Sequence, residues 1–158
     1  FELVGRVGLR AGLRGLGLLR AVGQVLAQDI IEVFQILREA IGGGERGQRG
    51  DGGAALGLYQ MHPEAWADGN AQLLREGREP FSRWQWRSPL AQDMVALAYL
   101  RAIRGRLTAR GIPNPSPECL ALCWNLGFTG AASIGFRLSN APPARASYAV
   151  RVGNLVRR

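Results

Sequence analysis

Leu37-Arg38-Glu39-Ala40-Ile41-Gly42-Gly43-Gly44-Glu45, then after four residues Gly50-Asp51-Gly52-Gly53-Ala54-Ala55-Leu56-Gly57-Leu58-Tyr59-Gln60-Met61-His62-Pro63, joins the end of an apolar helix to a glycine-rich loop. Just upstream, Ile30, Val33, Phe34, Leu37 and Ile41 recur at spacings of three and four, which places them on one face of a helix with Asp29 as its cap. Three successive glycines end that helix, because glycine is the poorest helix former after proline. The loop over 47–57 suits a tight turn or a short hairpin. Residues 58–61 form a short apolar run, and Pro63 is expected to open a brief helix through Trp66.

Downstream the start signals are sharper. Residues 67–87 read as polar and irregular, with Trp84 and Trp86 near their end. Ser88-Pro89 supplies a capping hydroxyl and then a proline at the first helical position. Leu90, Met94, Leu97, Leu100 and Ile103 are expected to give this helix its apolar face. Arg101, Arg104, Arg106 and Arg110 gather at its end, where positive charge suits the helix dipole. Residues 111–115 read as a linker. Ser116-Pro117-Glu118 repeats the start signal for a helix carrying Leu120, Cys123 and Trp124, which Gly127 should close. A short helix over 131–138 and a last one over about 143–156 complete the chain. Strand signals are nearly absent and no internal repeat is visible. The fold class expected is mostly α, a single domain over 29–158, with 1–28 as a tail or degraded leader.

Composition bounds the function more weakly. The chain has 158 residues, enough for one ordinary hydrophobic core. Its 47% apolar content is normal for a globular protein. All 20 basic residues are arginine, and against 12 acidic ones they leave a net charge of +8. That charge favours polyanions in general, whether nucleic acid, an anionic membrane or an acidic cell wall, and equally describes a solvated basic surface. No nucleic-acid-binding motif accompanies it, so no specific nucleic-acid partner is expected. Cys119 and Cys123 lie four apart on one helix, a geometry that rarely suits a disulfide, and are expected as buried thiols. With the lone His62 they fall short of the roughly four ligands of a zinc site, so neither metal nor cofactor is expected. No apolar run reaches the roughly 18 residues needed to span a bilayer. Arginines 6, 10, 14 and 20 interrupt the apolar stretches of 1–28, leaving no clear signal-peptide core.

Glu45 is the candidate for chemistry. It sits where the first apolar helix meets the loop, and partial burial at such a helix end raises a carboxyl pKa in the direction a proton donor needs. The alternative is a solvated glutamate in a Gly-rich loop. Asp51 is the nearest candidate second carboxylate, although Gly-Asp-Gly-Gly is also an ordinary turn whose aspartate bonds its own backbone. Trp66 is expected in the core. At least one of Trp84 and Trp86 is expected at the cleft, where indole rings suit the apolar faces of sugars.

The two opening stretches together resemble the lysozyme-like superfamily, most closely bacterial and phage transglycosylase-like lysozymes of the soluble lytic transglycosylase type. In that family a helix ending in Glu-Ser-Gly leads through Gly-Asp-Gly-Gly and Ala-Leu-Gly to Tyr-Gln-Ile-His. Cys123-Trp124-Asn125-Leu126-Gly127 is similar to its Ala-Tyr-Asn-x-Gly helix end, and Tyr148-Ala149-Val150-Arg151-Val152 to its closing Tyr-x-x-Arg-Val helix. The resemblance spans residues 37–152. It departs at Glu45-Arg46-Gly47, where arginine replaces serine, and in a loop several residues short. It implies a small helical domain of lysozyme-like fold with the Gly-rich loop or hairpin beside the active-site cleft. It implies Glu45 as catalytic acid and base, with Glu39 as the fallback donor. Tyr59 and Gln60 would line the cleft, Asn125 would hold substrate through its amide, and Tyr148 would close over the glutamate or the N-acetyl group. The alternatives are core packing for the two tyrosines and helix capping for Asn125. The implied substrate is the β-1,4 MurNAc-GlcNAc bond of peptidoglycan glycan strands, cut by hydrolysis or by anhydro-forming transglycosylation. Chitin or chitosan is a third possible target of the same fold. A monomer, extracellular, periplasmic or phage-associated, is expected. The rival reading is a catalytically degenerate lysozyme-like or Arg-rich module that binds cell wall or another polyanion.

Overall fold

A computed structural model describes Gln35 and residues 49–158. Residues 1–28, Glu39 and Glu45 lie outside the described residues, and of the helix expected from Asp29 only Gln35 is described, helical and exposed.

From residue 49 the chain forms a minimal hairpin. Strand β1 (Arg49–Gly50) pairs antiparallel with β2 (Ala55–Leu56), Gly50 opposite Ala55. A 3-10 turn, Asp51–Gly53, joins them. Asp51 therefore opens a turn, as the Gly-Asp-Gly-Gly pattern suggests. Next comes a tight loop closed by Leu56 N–H to Met61 O at 3.2 Å and Met61 N–H to Leu56 O at 3.1 Å.

Helix α1 (Pro63–Arg75) is much longer than the brief helix expected, and it absorbs the start of the segment read as irregular. Its buried stripe is Trp66, Gly69 and Leu73. A glycine occupies the middle of that stripe because α1 crosses the next helix there. A Cβ at Gly69 would stand 2.5 Å from the backbone oxygen of Val95. The apolar periodicity is thus interrupted at the point of closest packing, and the sequence pattern hides how far the helix runs beyond Trp66. Phe81 then docks onto α1: Asn70 Oδ1 accepts from its N–H at 2.8 Å, while Asn70 Nδ2 at 2.6 Å and Trp66 Nε1 at 3.1 Å donate to its carbonyl. A 3-10 turn, Arg83–Arg87, follows.

Helices α2 (Pro89–Ala109) and α3 (Pro117–Ser133) start where the Ser-Pro pairs predict. Ser88 Oγ accepts from Ala91 N–H at 3.3 Å, and Ser116 Oγ from Cys119 N–H at 3.2 Å. The buried face of α2 differs in part from the expected stripe. Leu100 and Ile103 are buried, but Ala91, Val95 and Ala98 replace Leu90, Met94 and Leu97, and Leu90 is exposed. The arginines of α2 lace it to α1: Arg101 grips Glu76 with two bonds of 2.7 Å, and Arg106 Nη1 reaches Asp68 Oδ2 at 2.7 Å.

Gly127 interrupts α3 without closing it. Its φ of 73° and ψ of 157° leave helical geometry, after which the helix resumes to Ser133. The stop falls at Gly135, where Phe136 N–H returns to Ala131 O at 2.8 Å. The expected helix over 131–138 is therefore the end of α3, followed by a 3-10 turn at Leu138–Asn140. Helix α4 (Pro143–Val156) matches its expected bounds.

The described residues are mostly helical. α1 lies along α2, α3 along α4, and α2 meets α3 to join the pairs. One continuous core runs through them, with Leu73, Val95, Leu100, Ile103, Leu107, Leu122, Cys123 and Val152 fully buried. Each such aliphatic side chain contributes about 1.5–3 kcal/mol on leaving water. Both cysteines are free thiols; Cys123 is buried but Cys119 only half-buried, a partial correction to the expected pair. Among the described residues no helix is long and apolar enough to cross a membrane.

Candidate active-site cavity

Three separated parts of the chain meet at one cavity of about 320 Å³, lined by Ala55, Tyr59, Gln60, His62, Trp124, Asn125, Arg145 and Tyr148. All four residues expected to contact substrate are among them. The volume lies at the lower end of the roughly 300–1,000 Å³ typical of small-ligand sites.

The first wall is the loop after β2. Tyr59 is buried, 1% exposed, and its hydroxyl donates to Asp93 Oδ1 on α2 at 2.6 Å. That bond fixes the ring and commits the hydroxyl to the scaffold. Gln60 sits at a φ of 48° and donates its side-chain amide to Gly57 O at 2.7 Å, holding the loop closed. Arg83 braces the same loop from outside, its Nη2 donating to Ala54 O at 3.0 Å and Met61 O at 2.9 Å.

The second wall is the first segment of α3. Trp124 lies between two tyrosine rings, tilted against Tyr99 with centroids 5.3 Å apart and edge-on to Tyr59 at 6.4 Å. Its indole is half-buried and forms the aromatic surface of the cavity. Trp66 is in the core as expected. Trp86 is buried and Trp84 is 81% exposed, and neither lines the cavity. The signal for Trp124 was present in its neighbour, since it immediately precedes Asn125.

The third wall is the start of α4, where Arg145 and Tyr148 stand three residues apart on one face. Arg145 Nη1 donates to Asn125 Oδ1 at 2.8 Å. A guanidinium can only donate, so this bond fixes the orientation of the Asn125 amide and leaves its NH₂ as a donor. Capping does not account for Asn125, because its oxygen is held by another helix. Arg145 was one arginine among 20, and nothing in local spacing marked it.

Tyr148 is the anomaly. Its hydroxyl is shut away from solvent and has no hydrogen-bond partner among the described residues, in contrast to that of Tyr59. Burial pushes its pKa up to about 12, with Arg151 opposing, so the hydroxyl keeps its proton throughout the neutral range. Arg83 Nη1 is also buried without a partner among the described residues, but the same guanidinium donates through Nη2. A buried hydroxyl without a partner forfeits about 1–3 kcal/mol. Such groups persist where a ligand or reacting group completes them.

Taken together, the cavity offers N–H and O–H donors and an aromatic face, and no carboxylate among the described lining residues. This suits a ligand rich in oxygen acceptors with apolar ring faces. A larger space of about 460 Å³ runs along α4, but its described lining comes from that helix, including Val150, Arg151 and Leu155, and from Arg158 just beyond its end. Groups on one helix face do not converge on a ligand, so it is the weaker candidate. Among the described residues no three His, Cys, Asp or Glu side chains are grouped to hold a metal. Comparison of the chain with protein-family models, with curated proteins and with solved structures returns no match.

Proposed function

We propose that this protein cleaves the β-1,4 bond between N-acetylmuramic acid and N-acetylglucosamine in peptidoglycan glycan strands, with Glu45 as general acid and base. The reading rests on one observation. Residues 59–60, 125 and 148, drawn from three distant patches of a lysozyme-like pattern, line one cavity of about 320 Å³. In this mechanism the Glu45 carboxylic acid gives its proton to the glycosidic oxygen as the bond to the anomeric carbon breaks. The carboxylate then takes a proton from the incoming nucleophile. Water as nucleophile leaves a reducing end, whereas the sugar's own 6-hydroxyl leaves a 1,6-anhydro end. Neither route demands that Asp51 leave its turn. Trp124 provides the stacking surface, the Asn125 NH₂ donates to a substrate oxygen, and the Tyr148 hydroxyl supplies a second donor. Tyr59 acts through position, since its hydroxyl is bound to Asp93.

Digestion of purified peptidoglycan, with product masses read by mass spectrometry, tests the reading. Anhydro-ended or reducing-ended muropeptides are expected. Glu45→Gln should lower cleavage by about 10²–10⁴ with the melting temperature preserved. Loss of cleavage in Glu39→Gln instead would move the proton donor to Glu39. Retention on insoluble peptidoglycan with no products from the wild-type chain would overturn catalysis in favour of the binding module.

A further inference from the structure

We infer that Arg145 makes this cavity selective for an anionic glycan, a sugar chain carrying carboxylates, over a neutral one of the same length. The inference rests on the proposed glycan-binding function and names the substrate class of that same cavity.

Arginines without a carboxylate partner are ordinary on an exposed surface, so the missing partner carries little by itself. Three further features single out Arg145. It is the only arginine among the described residues lining the cavity. Its guanidinium is held at a neutral acceptor, Asn125 Oδ1, so it is oriented while no carboxylate among the described residues pairs with it. Elsewhere, Arg101, Arg106 and Arg157 are each compensated by a carboxylate, from Glu76, Asp68 and Glu118. Finally, Arg145 stands in the first turn of α4, a helix with no acidic residue in that turn and no side-chain cap. A cation there opposes the helix dipole, whose positive end adds to the guanidinium field. Both fields are relieved by one negative group at the cavity mouth.

The geometry of a guanidinium matches a carboxylate fork, with donors left over after the bond to Asn125. Next to it, the Asn125 NH₂ and Tyr148 hydroxyl donate to neutral oxygens, the acetamido and ring hydroxyl groups of a sugar. Asn125 and Tyr148 therefore recognise any N-acetylated glycan, while Arg145 adds a preference for one bearing acidic substituents.

The test is calorimetric titration of the full chain with two tetrasaccharides. One is chitotetraose, which is neutral; the other is the alternating GlcNAc-MurNAc tetrasaccharide with free lactyl carboxylates. The acidic sugar is expected to bind about three- to tenfold tighter at low salt, a ratio that shrinks as salt is added. Arg145→Gln should bring the ratio to about one, and Arg145→Lys, which keeps the charge but loses the fork, should keep only part of it. The ratio is the readout, because loosening Asn125 lowers both affinities together. Equal binding of the two sugars by the wild-type chain, or a preference that survives Arg145→Gln, overturns the inference and leaves the glycan reading standing. Failure of both sugars to bind removes the glycan reading, and this inference with it. If Arg145→Gln does not fold, as judged by circular dichroism, Arg145→Lys and the salt dependence of the wild-type ratio decide.

Discussion

The α1–α2 pair and the cavity end of the α3–α4 pair treat their polar groups in opposite ways. Between α1 and α2 the charged side chains find partners: Arg101 with Glu76, Arg106 with Asp68. The neutral ones do too, since Asn70 both donates to and accepts from Phe81. At the cavity end, Tyr148 buries a hydroxyl with no partner among the described residues, and Arg145 leans on a neutral amide. The same helix pair is conventionally satisfied further along, where Arg157 pairs with Glu118. The difference is therefore local to the cavity and not a feature of loosely packed helices. Polar groups that complete each other stabilise a scaffold; polar groups left incomplete are available to something else.

The two tyrosines of the cavity break or sharpen this contrast most directly. Tyr59→Phe deletes the donor to Asp93 and leaves a half-buried carboxylate short of a bond. It should destabilise the protein by about 1.5–3 kcal/mol, read by urea or thermal unfolding. Tyr148→Phe removes a hydroxyl that makes no hydrogen bond among the described residues. Its stability should stay level or rise by as much as about 1 kcal/mol, while glycan binding or cleavage falls. If Tyr148→Phe destabilises as much as Tyr59→Phe, the cavity is ordinary core and the contrast collapses.

The smallest effect concerns the charged lacing. The side-chain hydrogen bond from Arg101 holds the Glu76 carboxyl below its ordinary value of 4.5, against the opposing effect of burial. Arg157 does the same for Glu118. A carboxyl with a depressed folded pKa stabilises above its unfolded value, and that stability is lost as pH falls through the folded one. Melting temperature should therefore decline as pH is lowered through 4.5 and below. Glu76→Gln should show a shallower decline than the wild type, by a modest amount because the pair is partly exposed. An unchanged slope would remove Glu76 from the scaffold's account.

Legibility followed the range of the physics. Ser88-Pro89 and Ser116-Pro117 were readable because a cap and its helix lie within three residues. The start of helix α1 at Pro63 was readable too, but its length was not, because Gly69 answers to the backbone of Val95, 26 positions away. The halt at Gly127 was read, but the resumption beyond it was missed. Phe128 packs against Phe136 at 5.4 Å across the true stop, a contact that local propensity does not encode. For the site, the Tyr-Gln, Asn and Tyr patterns pointed to four lining residues, and Trp124 was signalled only by its neighbour Asn125, while Arg145 appeared only once the helices were assembled.

The sequence by itself determined the helical class, the two Ser-Pro starts and the bounds of the last helix, because caps, prolines and propensities act over a turn or so of chain. Only the tertiary structure decided which tryptophan faces the cavity, which tyrosine hydroxyl has a partner, and which of 20 arginines meets Asn125. Those outcomes depend on distances between residues far apart in sequence. They are fixed by packing, which no local window of residues contains.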